Sequence, residues 1–343
     1  MTELLFIQAL KGEKTKTIPF WFMRQAGRYL PEYRQVRSGF SNFLEFCYTP
    51  KAACEVTLQP IRRFDMDAAI LFCDILVIPD ALGQDVAFQK GEGPVLKPIE
   101  SSSDITKLKL DKVMDHLSPV MESVDLIRSS LDDSKALIGF AGSPWTVACY
   151  MVEGKGSKEF ALTRQFAYEH REAFSQLMDL LVEATSQYLK AQIKAGANAV
   201  QLFDSWSGLI PEQEFEAWVI NPTKRIVDAI KQDYPDIPVI GFAKSAGANL
   251  IRYKNETGVD ALGIDTAVPL VWAKENLAGK TLQGNLDPLA LFAPKETVIE
   301  ATNHILESWK EIPFVFNLGH GFLPQTPIEN VESVCETIKG FSR

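Results

Sequence analysis

The sequence predicts a parallel (β/α)8 barrel that takes up residues 1–343 as one domain. Three observations predict it. Eight short apolar runs recur along the chain, each ends in a polar residue or glycine, and helical periodicity follows. The runs are continuously apolar rather than alternating, which suits strands of a parallel sheet buried on both faces. No internal repeat, low-complexity tract or Gly/Ser linker divides the 343 residues, a length that one α/β barrel accommodates. Eight strand–helix units favour a closed barrel over an open doubly wound sheet.

In chain order, the first run is Pro19–Met23, leading into Arg24 and Gln25. The second, Ala68–Cys73, closes on Asp74. Pro79–Pro98, punctuated by Gly91, Gly93 and Pro94, reads as an insertion after that strand, in the form of a hairpin. Ala136–Gly142 ends at Ser143, and Lys158–Lys194 is amphipathic. Ala199–Phe203 ends at Asp204 and Ser205 and precedes a helical stretch, Pro211–Gln232. Pro238–Ala243 ends at Lys244, and Ala261–Ile264 at Asp265. Thr281–Leu286 carries Asn285 and meets Asp287, before a helix over Pro294–Lys310. The last run, Pro313–Leu318, leads to His320. Function in a barrel gathers at the C-terminal ends of the strands. Here those ends carry cations, acids, hydroxyls and one imidazole, with no cluster of metal-type ligands, and so predict a polar, anion-handling pocket.

Composition narrows the classes. A formal net charge of −9 argues against nucleic-acid binding as the main role. It also requires an anionic substrate to meet locally concentrated cations. Five cysteines without a C-x-x-C pair point to a reducing compartment rather than a disulfide framework. The first residues lack a basic region and a long enough apolar stretch for a signal peptide, and no run reaches membrane-span length. The expectation is a soluble, cytosolic protein.

Individual residues carry competing readings. Arg24 and Arg28 in MRQAGRYLPEYRQVR are four apart and share a face if a helix starts there. Guanidinium forks suit carboxylates or phosphates, whereas four arginines in this segment also describe a solvated surface. Arg24 follows directly on a strand and Gly27 permits close approach of backbone, which favours function; Arg34 and Arg37 keep the surface reading. Asp74 sits in an apolar sequence, where a carboxylate is costly without a partner; a helix cap or ion pair is the plainer account, and its apolar neighbours favour function. His320, between two glycines that leave room for a ligand, is balanced between structure and function, while His116, His170 and His304 carry no signal. Tyr150 reads as a core aromatic and Ser205 as a helix cap on residue type alone. LFDSWSG is not a nucleophile elbow, and no dinucleotide loop, P-loop or zinc-binding spacing occurs.

The stretches PFWFMRQAGRYLPEYR, LQPIRRFDMDAAILFCDILVIPDALG, IGFAGSPWTVACYMVEG, AVQLFDSWSG, TLQGNLDP and FNLGHGFLPQTP resemble the uroporphyrinogen decarboxylase family, in family order along nearly the whole chain. The resemblance implies a single-domain (β/α)8 barrel, a homodimer, and decarboxylation of a tetrapyrrole without metal or organic cofactor. It assigns substrate binding to Arg24, Gln25, Ala26, Gly27, Arg28, Phe43, Tyr150, Ser205 and His320, and the catalytic carboxylate to Asp74. Phe72 and Phe203 would line the macrocycle's apolar surface. Cys73 stands where serine is common and Ser245 where glycine is frequent. Two other classes compete. A corrinoid- or zinc-dependent methyltransferase of the same barrel type needs a histidine two residues from a cysteine, which Cys47, Cys54, Cys73, Cys149 and Cys335 all lack. A non-catalytic tetrapyrrole carrier could dispense with Asp74.

Overall fold

The computed structural model describes residues 3–89 and 93–343. Seven parallel strands form one sheet in the order β1 (Ala68–Ile70), β4 (Ala136–Gly142), β5 (Ala199–Asp204), β6 (Val239–Ala243), β7 (Ala261–Gly263), β8 (Thr281–Leu286) and β9 (Phe314–Leu318). Between β1 and β4 an antiparallel pair, β2 (Val86–Gln89) and β3 (Gly93–Leu96), occupies the segment expected to be inserted; residues 90–92 of it lie outside the described residues. Nearly every residue of the seven strands is buried, as strands covered on both faces require.

The run Pro19–Met23 is not a ladder strand over its length, yet it closes the sheet into a barrel. Phe316 N donates to Pro19 O at 2.9 Å and Trp21 N to Phe316 O at 3.3 Å, which fixes it to β9. On its other side Asp67 N donates to Phe20 O at 3.0 Å, and the Asp67 carboxylate accepts from Phe20 N at 2.9 Å in place of a strand carbonyl. Near the top, Met23 N donates to the Asn317 side chain at 3.0 Å. Inside the barrel Trp21 donates to Gln283 at 2.8 Å and Gln283 to Gln201 at 3.1 Å, a polar chain across three non-adjacent strands.

Helices cover the outside, among them Pro50–Phe64, Ser118–Ser130, Arg171–Lys194, Asn221–Asp233, Lys295–Trp309 and Ile328–Gly340. Lys158–Lys194 is two helices, Ala161–Glu169 and Arg171–Lys194, because His170 leaves helical geometry at φ −123°, ψ 51°. Pro211–Gln232 divides likewise, through a wide turn over Glu216–Ile220. No helix of the described residues is long and apolar enough to cross a membrane.

Candidate active site

The closing segment Pro19–Met23 turns sharply at its end. Arg24 adopts φ 60°, the left-handed region, which costs a side-chain-bearing residue roughly 1–2 kcal/mol. Residues 24–30 form turns rather than a helix, so the shared helical face expected for Arg24 and Arg28 does not exist; the next helix begins only at Pro31. A Cβ at Gly27 would lie 2.9 Å from Arg24 O, so glycine lets this turn fold on itself. Gln25 is fully buried, accepting from Phe22 N at 3.2 Å and donating to Ala68 O at 3.3 Å, which commits its side chain to holding the turn. Ala26 and Gly27 are half-buried, and Arg24 and Arg28 are exposed. Arg34, read from sequence as a surface residue, clamps this turn by donating to Arg28 O at 2.6 Å and Tyr29 O at 3.0 Å. Arg37, unlike the exposed Arg34, departs from the surface reading: half-buried, it lies 5.8 Å from the ring centres of both Phe43 and Phe46.

β1 leaves the ladder early because Phe72 N donates to Thr57 Oγ1 at 3.1 Å rather than to a strand. The chain then runs to Asp74, whose Oδ1 accepts from Leu76 N at 2.9 Å, just before the helix Val77–Ala81. That bond closes the turn ahead of the helix, whose N-cap position is Leu76 with no side-chain cap, so the helix-cap reading does not hold. Among the described residues Asp74 has no ion-pair partner within 4.0 Å, and the residue is half-buried. Burial raises its pKa above the usual carboxylate range, opposed by the Leu76 N–H and by the charge of Arg24.

Tyr150, on the helix Pro144–Glu153, is half-buried against Phe160 and Trp206. Burial raises its phenol pKa; the negative charge of Asp74 adds to this and Arg24 opposes it, so all three share one electrostatic neighbourhood. Ser205 is half-buried, and the short turn after it starts from Trp206 with no side-chain cap, so the helix-cap reading of Ser205 does not hold. Asp204 faces the other way. Gln201 and Phe203 point inward, so Asp204 points to the helix layer, where its Oδ1 accepts from Thr146 at 2.6 Å and its Oδ2 has no partner among the described residues. Burial pushes its pKa up to about 7.

His320 is half-buried after β9, and its pKa falls to about 4 through burial and through the charges of Arg24 and Lys244. It is thus neutral near pH 7, which removes the ready imidazolium proton donor that an ordinary histidine would be. Its flanking glycines are explained by protein packing: a Cβ at Gly321 would run into the Arg24 side chain, and one at Gly319 into Thr266. Phe43 is half-buried in an aromatic group with Phe72 and Phe88, at centroid distances of 5.9 and 4.9 Å. Phe203 lies 5.7 Å from Phe140 and 6.0 Å from Phe242 inside the mouth. A separate cavity of about 500 Å³ beside the β2–β3 pair, lined by Asp80, Gln84, Val86 and Lys97, shares no residue with this set.

Ion pairs are plentiful elsewhere, as in Arg63–Glu32, Arg225–Asp179 and Arg252–Glu216. Among the described residues, Arg24 and Arg28 have no carboxylate within 4.0 Å. The mouth thus combines the free guanidinium of Arg24 with a half-buried acid, a phenol, a hydroxyl and a neutral imidazole. A family model described as uroporphyrinogen decarboxylase matches residues 1–341. The chain belongs to that family. It is similar to the uroporphyrinogen decarboxylase of Rhodospirillum rubrum, 50% identical over 339 residues that cover 98% of this chain and 97% of that one. That of Rhizorhabdus wittichii is 50% identical over 335 residues, covering 97% of each. Among solved structures, a methyltransferase from Methanosarcina mazei superposes with a TM-score of 0.81 over 98% of this chain and 99% of its own, at 18% identity, a likeness of fold alone.

Proposed function

We propose that this chain converts uroporphyrinogen III to coproporphyrinogen III and four molecules of carbon dioxide, using its own side chains without metal or organic cofactor. The observation that carries this reading is Asp74, a carboxylate held in the mouth with one oxygen bonded and no cation in contact, near the unpaired Arg24.

The reaction explains such a group. Each acetate loses carbon dioxide only if the electron pair of the breaking C–C bond has somewhere to go. Protonating a ring carbon of the pyrrole gives an iminium-like cation that takes that pair as an exocyclic double bond. A proton then added to the exocyclic carbon, with loss of the ring proton, restores the pyrrole and leaves a methyl group. The net change is one acetate carboxylate and one proton replaced by a hydrogen and carbon dioxide. In this reading Asp74 accepts the converging pyrrole N–H groups and stabilises the cation, an interaction strengthened where water is excluded. Arg24 and Arg28 hold peripheral carboxylates, each charge-assisted contact contributing roughly 1.5–3 kcal/mol. Tyr150, Ser205 and the neutral His320 complete the rim through hydrogen bonds. Gln25, Ala26 and Gly27 serve by shaping the turn that presents the arginines, and Phe43, Phe72 and Phe203 offer apolar surface to the macrocycle. A cytosolic homodimer belongs to the same reading. The five free thiols support its reducing compartment, and sedimentation of the purified protein tests the dimer.

Anaerobic incubation of chelator-treated protein with uroporphyrinogen III tests the function. Stepwise appearance of seven-, six-, five- and four-carboxylate products is expected. Binding without conversion would refute it in favour of a carrier. Activity dependent on restored zinc would refute the cofactor-free chemistry.

A further inference from the structure

We propose that Lys244 is an additional substrate-binding residue, its ammonium taking a carboxylate on the side of the mouth opposite Arg24 and Arg28. The inference rests on the reading of the mouth as the tetrapyrrole site. It follows from strand parity, barrel position and charge.

Parity fixes direction. A Cβ at Gly241 would meet the Tyr253 ring of the helix Asn249–Glu256, so position 241 faces outward from β6. Positions 240, 242 and 244 then face inward, and Phe242 does so, 6.0 Å from the inward Phe203. Lys244 is the next inward position, just past the strand. Barrel order fixes location. From the closing segment that carries Arg24, β6 is reached through β1, β4 and β5 in one direction and through β9, β8 and β7 in the other. Lys244 therefore stands across the mouth from the arginines, on a side where they cannot neutralise substrate charge.

The lysine is also held in place and uncommitted. Its N–H donates to Asp204 O at 3.0 Å, and its carbonyl accepts from Gly208 N at 3.1 Å and Ser207 Oγ at 2.9 Å. Ser245 behind it takes φ 59°, where glycine would be unstrained, and donates to Asp265 Oδ2 at 2.6 Å. The other Asp265 oxygen accepts from Ala267 N at 2.8 Å, so the nearest strand-end acid is already occupied. Lys244 is half-buried, and among the described residues its ammonium has no hydrogen-bond or ion-pair partner. A half-buried cation in a chain of net charge −9 stays unpaired where a ligand supplies the anion. Uroporphyrinogen, with carboxylates all round its ring, supplies one on every side.

The test is steady-state kinetics of Lys244→Met and Lys244→Arg beside Arg24→Met, with uroporphyrinogen III as substrate. Lys244→Met is expected to raise KM roughly 10- to 100-fold, as for loss of one charge-assisted contact, with kcat within about twofold. Lys244→Arg should recover most of the affinity, and the Met variant should lose part of the salt dependence of KM. If Arg24→Met raises KM and folded Lys244→Met does not, the lysine is idle and the proposal fails while the mouth reading stands. If neither changes KM, the mouth reading itself falls. A large kcat loss at unchanged KM would replace the binding role with one in the chemical step. Lys244→Gln serves for the same comparison should the Met variant not fold.

Discussion

Replacing Asp74 with asparagine separates what this residue does for the reaction from what it does for the fold. At about 4 Å and an effective dielectric near 20, a carboxylate stabilises a facing unit charge by about 4 kcal/mol. An amide oxygen keeps a fraction of that as a dipole, leaving a loss of about 3 kcal/mol, or roughly 100-fold in kcat. The fold should not suffer. Asparagine Oδ1 can still accept from Leu76 N, which the aspartate does at 2.9 Å. Burial raises the aspartate's pKa, so the native state takes up the proton more readily than the unfolded chain. Its contribution is therefore fully present below the ordinary aspartate pKa and lost as pH rises through the raised one. At neutral pH ionised Asp74 costs stability, and the asparagine variant should melt at the same temperature or higher, by a margin that grows with pH. Single-turnover decarboxylation and thermal unfolding at about pH 5 and pH 8 measure both. Turnover within about fivefold of the parent would refute the electrostatic role. A fall of several degrees in Tm together with lost turnover would make Asp74 a structural cap instead.

Three further outcomes follow from the same geometry. Gly321→Ala places a methyl group where the Arg24 side chain lies; KM should rise roughly tenfold with Tm nearly unchanged, because a flexible side chain yields more cheaply than backbone, and an unaltered KM would show that Arg24's position does not matter. The ring of His320 should titrate at about 4 in the free protein, measured by NMR. A bound polycarboxylate should raise that value, since anions offset Arg24 and Lys244, and a free value near 6.5 would refute the assigned environment. Because its folded pKa is depressed, the unfolded chain takes the proton first, so His320 weakens the fold as pH falls below about 6.5. Asp204, fully buried with its pKa raised to about 7, contributes stability that is lost as pH rises through that value. Asp204→Asn should flatten the dependence of Tm on pH between about 6 and 8, and an unchanged slope would place the titration elsewhere.

Much of this was legible because barrel strands announce themselves. Ala136–Gly142 and Thr281–Leu286 have the predicted limits, since two buried faces demand unbroken apolar runs. The ends were less legible. Ala68–Cys73 shortens to Ala68–Ile70 because the Thr57 hydroxyl of the helix Pro50–Phe64 captures the backbone at Phe72, a partner no local pattern reveals. At the site, strand-end position pointed to Arg24, Asp74, Ser205 and His320, but not to their directions. Asp204 turns outward by the parity of β5, which only the inward Gln201 and Phe203 establish. The left-handed turn at Arg24 and the clamp from Arg34 depend on contacts with Gly321 and with backbone carbonyls. The glycines around His320 signalled a close approach, and among the described residues the approaching groups are Arg24 and Thr266.

The acids of the mouth make the case for Asp74 by contrast. Asp265 gives both oxygens to backbone N–H groups. Asp287 accepts from Leu289 N at 2.9 Å. Asp204 is turned behind the sheet and bonded to Thr146. Asp265 and Asp204 are thereby turned away from an entering polyanion, whereas Asp287 keeps one oxygen unbonded but stands exposed to solvent. Asp74, half-buried with one oxygen unbonded, would repel every carboxylate of the ligand. An acid with those costs is an obstacle in a site that only binds. It becomes an asset where binding brings N–H donors to it and turnover creates positive charge beside it. In the proposed reading the arginines account for recognition of an anion, and the unneutralised acid among them accounts for chemistry on it.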